Sequence, residues 1–468
     1  MSTRLGLRVR IFLLFALLAG ANVLGVGGGL VLGYRYADAP EAWNGFLAAG
    51  ILSAFAIAGL SVAVWLLFDE NVAKPIQRLA CQLRAKAHAG AGQLSDIDAR
   101  YLGDLGPAAQ AIAERLGEGG LQADIGEAAG RLQAEREWLT ALLSEIPVAV
   151  VLISPSDRIV LYDAQAGAIL AQIAPPRLGA PIYDYFDRSA IEAARGELVW
   201  RDREVAFDAP AVHGDVRVGV RLKSLARGFG EMLILEPRDV PLSPTKARPL
   251  VFDFELLERQ GDGPLAERGL IEVPYVVFDT ETTGLQMDRD EIVQIAAVRV
   301  VNGRVVAGEA LDTLVDPKRP IPPRASRVHG ITDDQVTGAP SVTTAAAQLH
   351  AFAREAVLVA HNAPFDLGFL KRREAAIGAR FDQPVVDTVL LSAILFGANE
   401  AHNLDALCAR LGIEIPAERR HTAAGDAEAT AAALCAMLPM LRGQGFTTLG
   451  DVLRETCKYG RLLQDLNT

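Results

Sequence analysis

Two long apolar segments open the chain. Residues 11–34 and 42–68 contain no charged side chain, and each exceeds the roughly 20 residues with which a helix spans the hydrocarbon core of a bilayer. They predict a membrane anchor over residues 1–70, with transmembrane helices at about 11–34 and 45–68. The alternative for the first segment is a cleaved signal peptide, but its apolar stretch is too long and a second one follows at once.

Basic residues flank this pair of segments. Three arginines precede the first segment, and four basic residues follow the second: Arg4, Arg8, Arg10, Lys74, Arg78, Arg84 and Lys86. By the positive-inside rule, both ends of the anchor lie in the cytoplasm and the short connection lies outside. The expected location is therefore the bacterial inner (cytoplasmic) membrane, with the lipid bilayer as a partner and the remainder of the chain cytoplasmic.

Glycine recurs at every fourth position of the first segment, at Gly25, Gly29 and Gly33. Small residues at this spacing let membrane helices approach closely, which favours a homodimer through the membrane and helical segments. Ordinary glycine enrichment in membrane helices explains the same pattern, so both interpretations stay open.

The middle of the chain changes from helical to strand patterns. Residues 71–134 contain Pro75 near their start, ahead of an amphipathic stretch, and resemble a HAMP-type juxtamembrane linker. Residues 135–237 read as helix, strand, turn, strand and helix, with later strands near 198–208, 215–224 and 231–236. This order resembles a PAS domain, an α+β fold, with a ligand that the sequence does not identify. The proline- and glycine-rich residues 238–271 are typical of a linker.

The third part of the chain carries the chemistry. The apolar run from Tyr275 to Phe278 predicts a buried strand, and Asp279 and Glu281 follow at its end. Acids two apart on extended backbone point to one face. Two such carboxylates repel one another unless a cation lies between them, and oxygen ligands suit magnesium or manganese.

Two further acids follow at helix starts. A strand ends at Ala360 and Pro364 opens a helix, which places Asp366 in the first helical turn. Asp426 begins an alanine-rich helix that extends to about Leu438, and His421 lies five residues upstream. Residues 443–468 predict a helical tail.

Composition and charge narrow the function. The formal net charge of −11 over 468 residues argues against a histone-like nucleic-acid coat, but it allows an enzyme that binds nucleic acid through metals and a local basic groove. The four cysteines form no CxxC pair, which argues against a disulfide scaffold and a structural zinc module and fits a reducing compartment.

Together these motifs resemble the DEDDh exonucleases, a ribonuclease-H-like group that includes the proofreading epsilon subunit of DNA polymerase III. The resemblance covers residues 272–442 and rests on three ordered blocks: Phe-Asp-Thr-Glu-Thr-Thr-Gly at 278–284, His-Asn-Ala-Pro-Phe-Asp at 361–366, and His421 with Asp426. It implies an α/β ribonuclease-H-like exonuclease domain, with a mixed sheet flanked by helices, behind the PAS-like domain and the two transmembrane helices.

The resemblance also implies a two-metal site. Asp279 would bridge two Mg²⁺ or Mn²⁺ ions, Glu281 and Asp426 would complete one ion site, and Asp366 would serve the other. His421 would take the proton from the attacking water.

Four more residues are implied as substrate contacts, namely Thr282, Leu285, His329 and Asn362. Leu285 would wedge against the terminal base of the substrate. His329 belongs to a Val-His-Gly-Ile-Thr block, in which Arg324 stands where the proofreading subunit has an acid five residues before the histidine.

The expected activity is metal-dependent removal of nucleoside 5'-monophosphates from the 3' end of nucleic acid, with single-stranded DNA as the expected substrate. Three alternatives remain open: a replisome proofreading subunit, an exonuclease that acts on RNA or short oligonucleotides, and a non-catalytic nucleotide-binding signalling protein.

Overall fold

A computed structural model describes residues 7–37, 42–76, 149–198, 204–213, 216–225, 230–236, 250–257, 263–416 and 418–467. Most of the HAMP-like segment and the start of the PAS-like segment lie outside these described residues. The chain divides into two compact units, residues 1–119 and 120–468, which are treated separately below.

The first unit contains a helical hairpin. Helices α1 (Leu7–Ala37) and α2 (Trp43–Phe68) are antiparallel, since Phe12 contacts Trp65 and Tyr34 contacts Trp43, each with ring centroids 5.1 Å apart. Both are long and apolar enough to cross a membrane, over Ile11–Tyr36 and Trp43–Ile76. A π-helical turn, Asp69–Ala73, continues α2.

The glycine stripe of α1 contacts α2 at one of its three positions. A Cβ on Gly33 would lie 3.3 Å from the ring of Phe46, whereas no described heavy atom comes within 4 Å of a Cβ built on Gly25 or Gly29. The two helices of the hairpin therefore use Gly33 for close approach.

The second unit begins with an antiparallel sheet, which we call the N-terminal sheet. Its elements are, in chain order, β1 (Ala149–Ile153), β2 (Ile159–Tyr162), α3 (Ala164–Leu170), α4 (Arg188–Leu198), β3 (Val205–Pro210), β4 (Arg217–Ser224), β5 (Glu231–Glu236) and β6 (Val251–Phe252). The strand order is β3-β4-β5-β1-β2-β6. Asp163 ends β2 and caps α3, because its carboxylate accepts the Ala166 N–H at 2.7 Å.

This part follows the predicted strand, turn, strand, helix order, with two differences. The strand expected near 198–208 begins only at Val205, because residues through Leu198 complete α4, which buries Ile191 and Ala194. The segment predicted as a linker over 238–271 contains β6, which pairs with β2 through Leu161 and Phe252.

A second, mixed sheet, which we call the C-terminal sheet, is built from the strands β7 (Tyr275–Thr282), β8 (Ile292–Val301), β9 (Arg304–Leu314), β10 (Val357–Ala360) and β11 (Val385–Asp387). Its order is β11-β10-β7-β8-β9, with β10 parallel to both neighbours and β7, β8 and β9 antiparallel. Asn302 and Gly303 form the tight β8–β9 turn with φ values of 50° and 69°, as expected of an Asn-Gly hairpin.

Helices flank this sheet. They are α5 (Pro323–His329), α6 (Asp333–Val336), α7 (Val342–Phe352), α8 (Ala363–Lys371), α9 (Glu374–Ile377), α10 (Thr388–Phe396), α11 (Leu404–Leu411), α12 (Ala423–Gly443) and α13 (Leu449–Thr456). The predicted ribonuclease-H-like arrangement, a mixed sheet with flanking helices, is confirmed. The alanine-rich helix runs past the expected end at Leu438, and Pro439 lies inside it.

The two sheets share a packed boundary. Val301, at the end of β8, belongs to the apolar core of the N-terminal sheet. Glu309 of β9 accepts hydrogen bonds from the Tyr162 hydroxyl at 2.9 Å and from the Leu178 N–H. The strands that carry the site described below are thus also in contact with the N-terminal sheet.

Candidate active site

Strand β7 presents two acids on one face. Asp279 pairs with Ala296 and Glu281 pairs with Gln294 across the β7–β8 ladder. The strand extends to Thr282, beyond the predicted end at Phe278, so both acids lie within the ladder. Hydrogen bonds to β8 therefore hold the two carboxylates in a fixed spacing.

Helix α12 brings a third acid to this face. Ala423 and Ala427 pack on Ala296, and such small side chains let the helix approach the sheet closely. Carboxylate oxygens of Asp279, Glu281 and Asp426 all lie within 4.8 Å of one another, and all three residues are half-buried. The structure thus assembles three of the four predicted acids into one cluster.

Asp366, the fourth acid, lies beside this cluster in the first turn of α8. It is 3% exposed, and its Oδ1 accepts the Thr280 N–H at 3.0 Å and the Thr280 hydroxyl at 2.6 Å. These bonds tie α8 to β7 between the two strand acids. Asp366 also raises the pKa of Asp279 through its charge, so the two carboxylates face one another closely enough to interact.

A buried carboxylate holds the turn before α8. Asp387, at the end of β11, accepts the Ala363 N–H at 2.6 Å and the Asn362 N–H at 3.4 Å. Asn362 itself is exposed and has a left-handed backbone with φ 73°. Burial raises the pKa of Asp387 to about 6, although its N–H donors favour the ionised form.

Burial and neighbouring charges raise the pKa values of the acids in this cluster. Removal from water raises the pKa of Asp279 well above its usual range, and the charges of Asp366 and Glu281 raise it further. Burial and then Asp426 raise the pKa of Glu281 to about 8. Burial raises the pKa of Asp366 to about 7 despite the Thr280 donors, and it also raises that of Asp426. Such shifts are typical of functional sites.

His421 lies on an exposed turn directly before α12. Its φ is 57°, a left-handed conformation, and its backbone N–H is hydrogen-bonded to Asp426. Thr422 caps the helix by accepting the Gly425 N–H at 3.1 Å. A Cβ on Gly425 would lie 1.9 Å from the Arg419 carbonyl oxygen, so glycine is required for this turn to close over the helix.

The other predicted contacts differ in exposure. Leu285 is 82% exposed, whereas Thr282 is buried and donates to the Gly284 carbonyl at 2.7 Å. His329 is 5% exposed, and its Nδ1 accepts the Ile331 N–H at 3.0 Å, which leaves the proton on Nε2. Burial lowers the pKa of His329, and the nearby Thr282 backbone partly offsets this shift. His329 and Thr282 are therefore neighbours, while Leu285 projects into solvent.

Sequence reasoning missed Gln294, which links three elements. Its Nε2 donates to Asp312 Oδ1 at 2.7 Å, and its Oε1 accepts the Ala423 N–H at 3.3 Å. Gln294 thereby joins β8, β9 and the first residue of α12, next to Glu281. The signal was a polar side chain within the apolar run of β8, where an unpaired buried amide would be costly.

The acid set fits divalent cations. Carboxylate oxygens that converge at this spacing, with pKa values raised mainly by burial, are the donor type that Mg²⁺ and Mn²⁺ take. Asp279, Glu281 and Asp426 would hold the ions, with Asp366 next to them.

Known exonucleases and DNA polymerase III subunits resemble this chain over the region that contains the acid cluster. The family described as "Exonuclease" matches residues 276–434, which contain all five predicted catalytic residues. A DNA polymerase III subunit epsilon-like protein of Rhodobacter capsulatus is 33% identical over an alignment that covers 99% of each chain. The PolC-type DNA polymerase III of Halalkalibacterium halodurans is 40% identical over 162 residues, 34% of this chain but 11% of that protein.

Two solved structures resemble part of the chain. Exonuclease I of E. coli in complex with a dA16 oligonucleotide matches at 19% identity and TM-score 0.33, over 39% of this chain and 43% of that one. Exonuclease X in complex with 5' overhanging duplex DNA matches at 29% identity and TM-score 0.31, over 38% of this chain and 98% of that one.

Exonucleases of this type use two divalent metal ions, with which the acid cluster is compatible. The full-length match to the Rhodobacter protein and the family match over the site agree on one assignment. The chain belongs to the family of DNA polymerase III epsilon-like proteins, and it is a 3'-5' exonuclease.

Proposed function

We propose that the protein is a membrane-anchored exonuclease that shortens DNA from the 3' end and releases nucleoside 5'-monophosphates. The observation that carries the proposal is the convergence of Asp279, Glu281 and Asp426 within 4.8 Å, beside Asp366. DNA is favoured over RNA by the epsilon-like relative that spans the whole chain.

The roles of the residues follow from their positions. When bound, the two cations supply positive charge to the attacking and leaving oxygens of the phosphodiester. Asp279 and Glu281 would hold the cations from the rigid strand β7. Asp426 would supply a third carboxylate ligand from α12. Thr280 holds Asp366 at a fixed angle through two hydrogen bonds.

His421 is proposed to accept the proton of the attacking water. It is exposed and lies next to the acid cluster through Asp426, and an imidazole is the side chain most often used as a general base. Leu285, at 82% exposure, is available to pack against the terminal base, and a single-stranded end would let that base reach it.

Membrane anchoring is supported by the hairpin of α1 and α2. Their candidate spans cover 26 and 34 residues, and the apolar 18-residue window of each contains no buried residue, which leaves its side chains open to lipid. The positive flanks orient the exonuclease toward the cytoplasm. The N-terminal sheet, with its PAS-like order, lies between the anchor and the exonuclease in the chain.

The test uses the full chain in detergent micelles. We would incubate it with 3'-labelled and 5'-labelled single-stranded DNA and RNA, in Mg²⁺, Mn²⁺ or EDTA. We expect metal-dependent mononucleotide release from the 3' end of DNA, loss of activity in Asp279→Asn, and a decrease of about 10²- to 10⁴-fold in His421→Ala.

The matched control is Asp288→Asn, an acid in the loop after β7 that is 76% exposed and should leave the rate unchanged. Faster cleavage of RNA than of DNA would overturn the substrate. Absence of cleavage in folded protein with either metal would favour nucleotide binding without catalysis. Extraction of the chain from membranes by alkaline carbonate would contradict the anchor.

A further inference from the structure

A small cavity of about 60 Å³ lies at the boundary of the N-terminal and C-terminal sheets. This is room for a small ion or a few water molecules. Five arginines and one acid, Glu355, stand out among its lining residues; the arginines are Arg158, Arg177, Arg268, Arg299 and Arg354. The first two come from the N-terminal sheet region and the other three from the exonuclease side.

The acids near these arginines are shared. Asp184 pairs with Arg177 and also with Arg354, the latter at 3.5 Å. Arg299 pairs with Glu309, with Nε and Oε2 2.8 Å apart. Three guanidinium groups therefore face two carboxylates at this boundary. Glu355, in the lining itself, pairs with Arg158 at 2.9 Å.

Two of these three guanidinium groups are buried, whereas the third, that of Arg354, is 46% exposed. The side chains of Arg177 and Arg299 are each only 3% exposed, and a buried cation without full compensation is costly. A backbone carbonyl supplies one hydrogen-bond acceptor for these buried groups, because Arg177 donates to the Arg354 carbonyl at 2.8 Å. The Arg177 Nε nevertheless has no hydrogen-bond acceptor among the described residues.

We propose that this cavity binds a phosphate group. Guanidinium groups match phosphate oxygens in charge and geometry, and several of them converge here from both domains. The group has two sources, free inorganic phosphate or the phosphomonoester of a nucleoside 5'-monophosphate. The second source rests on the proposed function, whereas the first does not. Since both domains line the cavity, an occupant connects them directly.

The experiment is calorimetric titration of the full chain in phosphate-free detergent buffer. EDTA keeps the acid cluster without metal, so that a phosphate probe cannot bind there through a cation. Inorganic phosphate and dAMP are titrated separately. We expect saturable binding of at least one of them, weakened about tenfold or more in Arg354→Gln, because a charge-assisted contact is lost.

A second variant moves the affinity in the opposite direction. Glu355→Gln removes the carboxylate of the lining while keeping its size, so phosphate should bind severalfold more tightly. The matched control is Arg221→Gln, an arginine 40% exposed against 46% for Arg354, paired with Glu204 at the far edge of the N-terminal sheet. The Arg221→Gln variant should bind the phosphate probes with the affinity of the unchanged protein.

Opposite shifts in the two lining variants cannot arise from loss of folding. Tighter binding of dAMP than of inorganic phosphate supports the phosphomonoester, and the reverse supports the free ion. The proposal is overturned if neither probe binds, if Arg354→Gln and Arg221→Gln behave alike, or if Glu355→Gln weakens binding. Because EDTA is present, the result is independent of whether the chain cleaves nucleic acid.

Discussion

Arg299 of β8 and Glu309 of β9 form an ion pair whose side chains are 3% and 0% exposed. Arg299 also donates to the Leu178 carbonyl at 3.0 Å, and Glu309 accepts from Tyr162, so the pair joins the exonuclease strands to the N-terminal sheet. Burial alone would raise the pKa of Glu309 and lower that of Arg299, and each charge opposes the shift of the other.

Glu309→Ala should therefore lower the free energy of unfolding of the full chain by about 3–5 kcal/mol, because it leaves a buried guanidinium without its partner. Chemical denaturation in detergent measures this. The exposed acid Glu236, which pairs with Arg221 at 2.7 Å, is the control, and Glu236→Ala should cost no more than about 1 kcal/mol.

Replacing both Arg299 and Glu309 with apolar residues distinguishes the effect of an unpaired charge on stability from the effect of lost packing. The double variant Arg299→Met with Glu309→Leu should recover most of the loss, because neither charge is then left alone. Equal destabilisation by the single and the double variant would contradict this account and would assign the effect to packing.

Gln294 should set the metal affinity without binding a metal. Gln294→Leu removes its bonds to Asp312 and to the Ala423 N–H, so α12 loses its attachment beside Glu281. We expect the apparent Mn²⁺ affinity to fall about 10- to 100-fold, the range seen when residues behind metal ligands are removed. Titration of activity against Mn²⁺ measures this.

A paired exchange tests whether the hydrogen bonds themselves matter. In Gln294→Glu with Asp312→Asn, the amide and the carboxylate change places, and both contacts of position 294 are kept. The pair should bind Mn²⁺ more tightly than Gln294→Leu. If the exchange were no better than the leucine variant, the positioning role would be rejected.

The stability of the metal-free protein should depend on pH in an unusual direction. Glu281 keeps its proton up to about pH 8 in the folded state, compared with an ordinary value of 4.5. The folded state thus binds more protons between these values, so the free energy of unfolding decreases as pH rises through this window and levels off above pH 8. Asp366 adds to the same trend up to about pH 7.

Thermal unfolding in EDTA from pH 5 to pH 9 measures this dependence. Mn²⁺ should raise the unfolding temperature most at high pH, where the carboxylates have lost their protons. Glu281→Gln should flatten the EDTA curve. A curve as steep in this variant as in the unchanged protein would show that other groups cause the trend.

Leu285 should affect the cleavage of DNA but not the stability of the fold. At 82% exposure, Leu285→Ala is expected to change the free energy of unfolding by no more than about 0.5 kcal/mol. Loss of its packing against a base should lower kcat/KM for DNA about tenfold. Val305→Ala, on the β8–β9 hairpin and 43% exposed, is the control and should leave kcat/KM unchanged.

Local signals predicted several elements of the C-terminal sheet. The apolar run of β8, the Asn302-Gly303 turn and the end of β10 at Ala360 lie where the pattern placed them, because each depends on near neighbours in the chain. The spacing of Asp279 and Glu281 was enough to place both on one face.

Contacts between segments that are far apart in the chain could not be predicted from local sequence patterns. Asp387 acts on a turn about 25 residues earlier, and Gln294 acts on a helix 129 residues later. Strand β6 has two residues, and its pairing with β2 makes it a strand, which its own sequence did not indicate. These features depend on tertiary pairing, which no local pattern of polarity encodes.

The left-handed backbone of His421 has a consequence for how this position can vary. With φ 57°, a residue that carries a Cβ costs about 1–2 kcal/mol relative to the right-handed region, whereas glycine would adopt the same turn without that strain. A histidine at this position therefore lowers the free energy of unfolding relative to glycine. Selection for thermal robustness alone would favour glycine at 421, whereas under the role proposed for His421 selection for turnover keeps the imidazole.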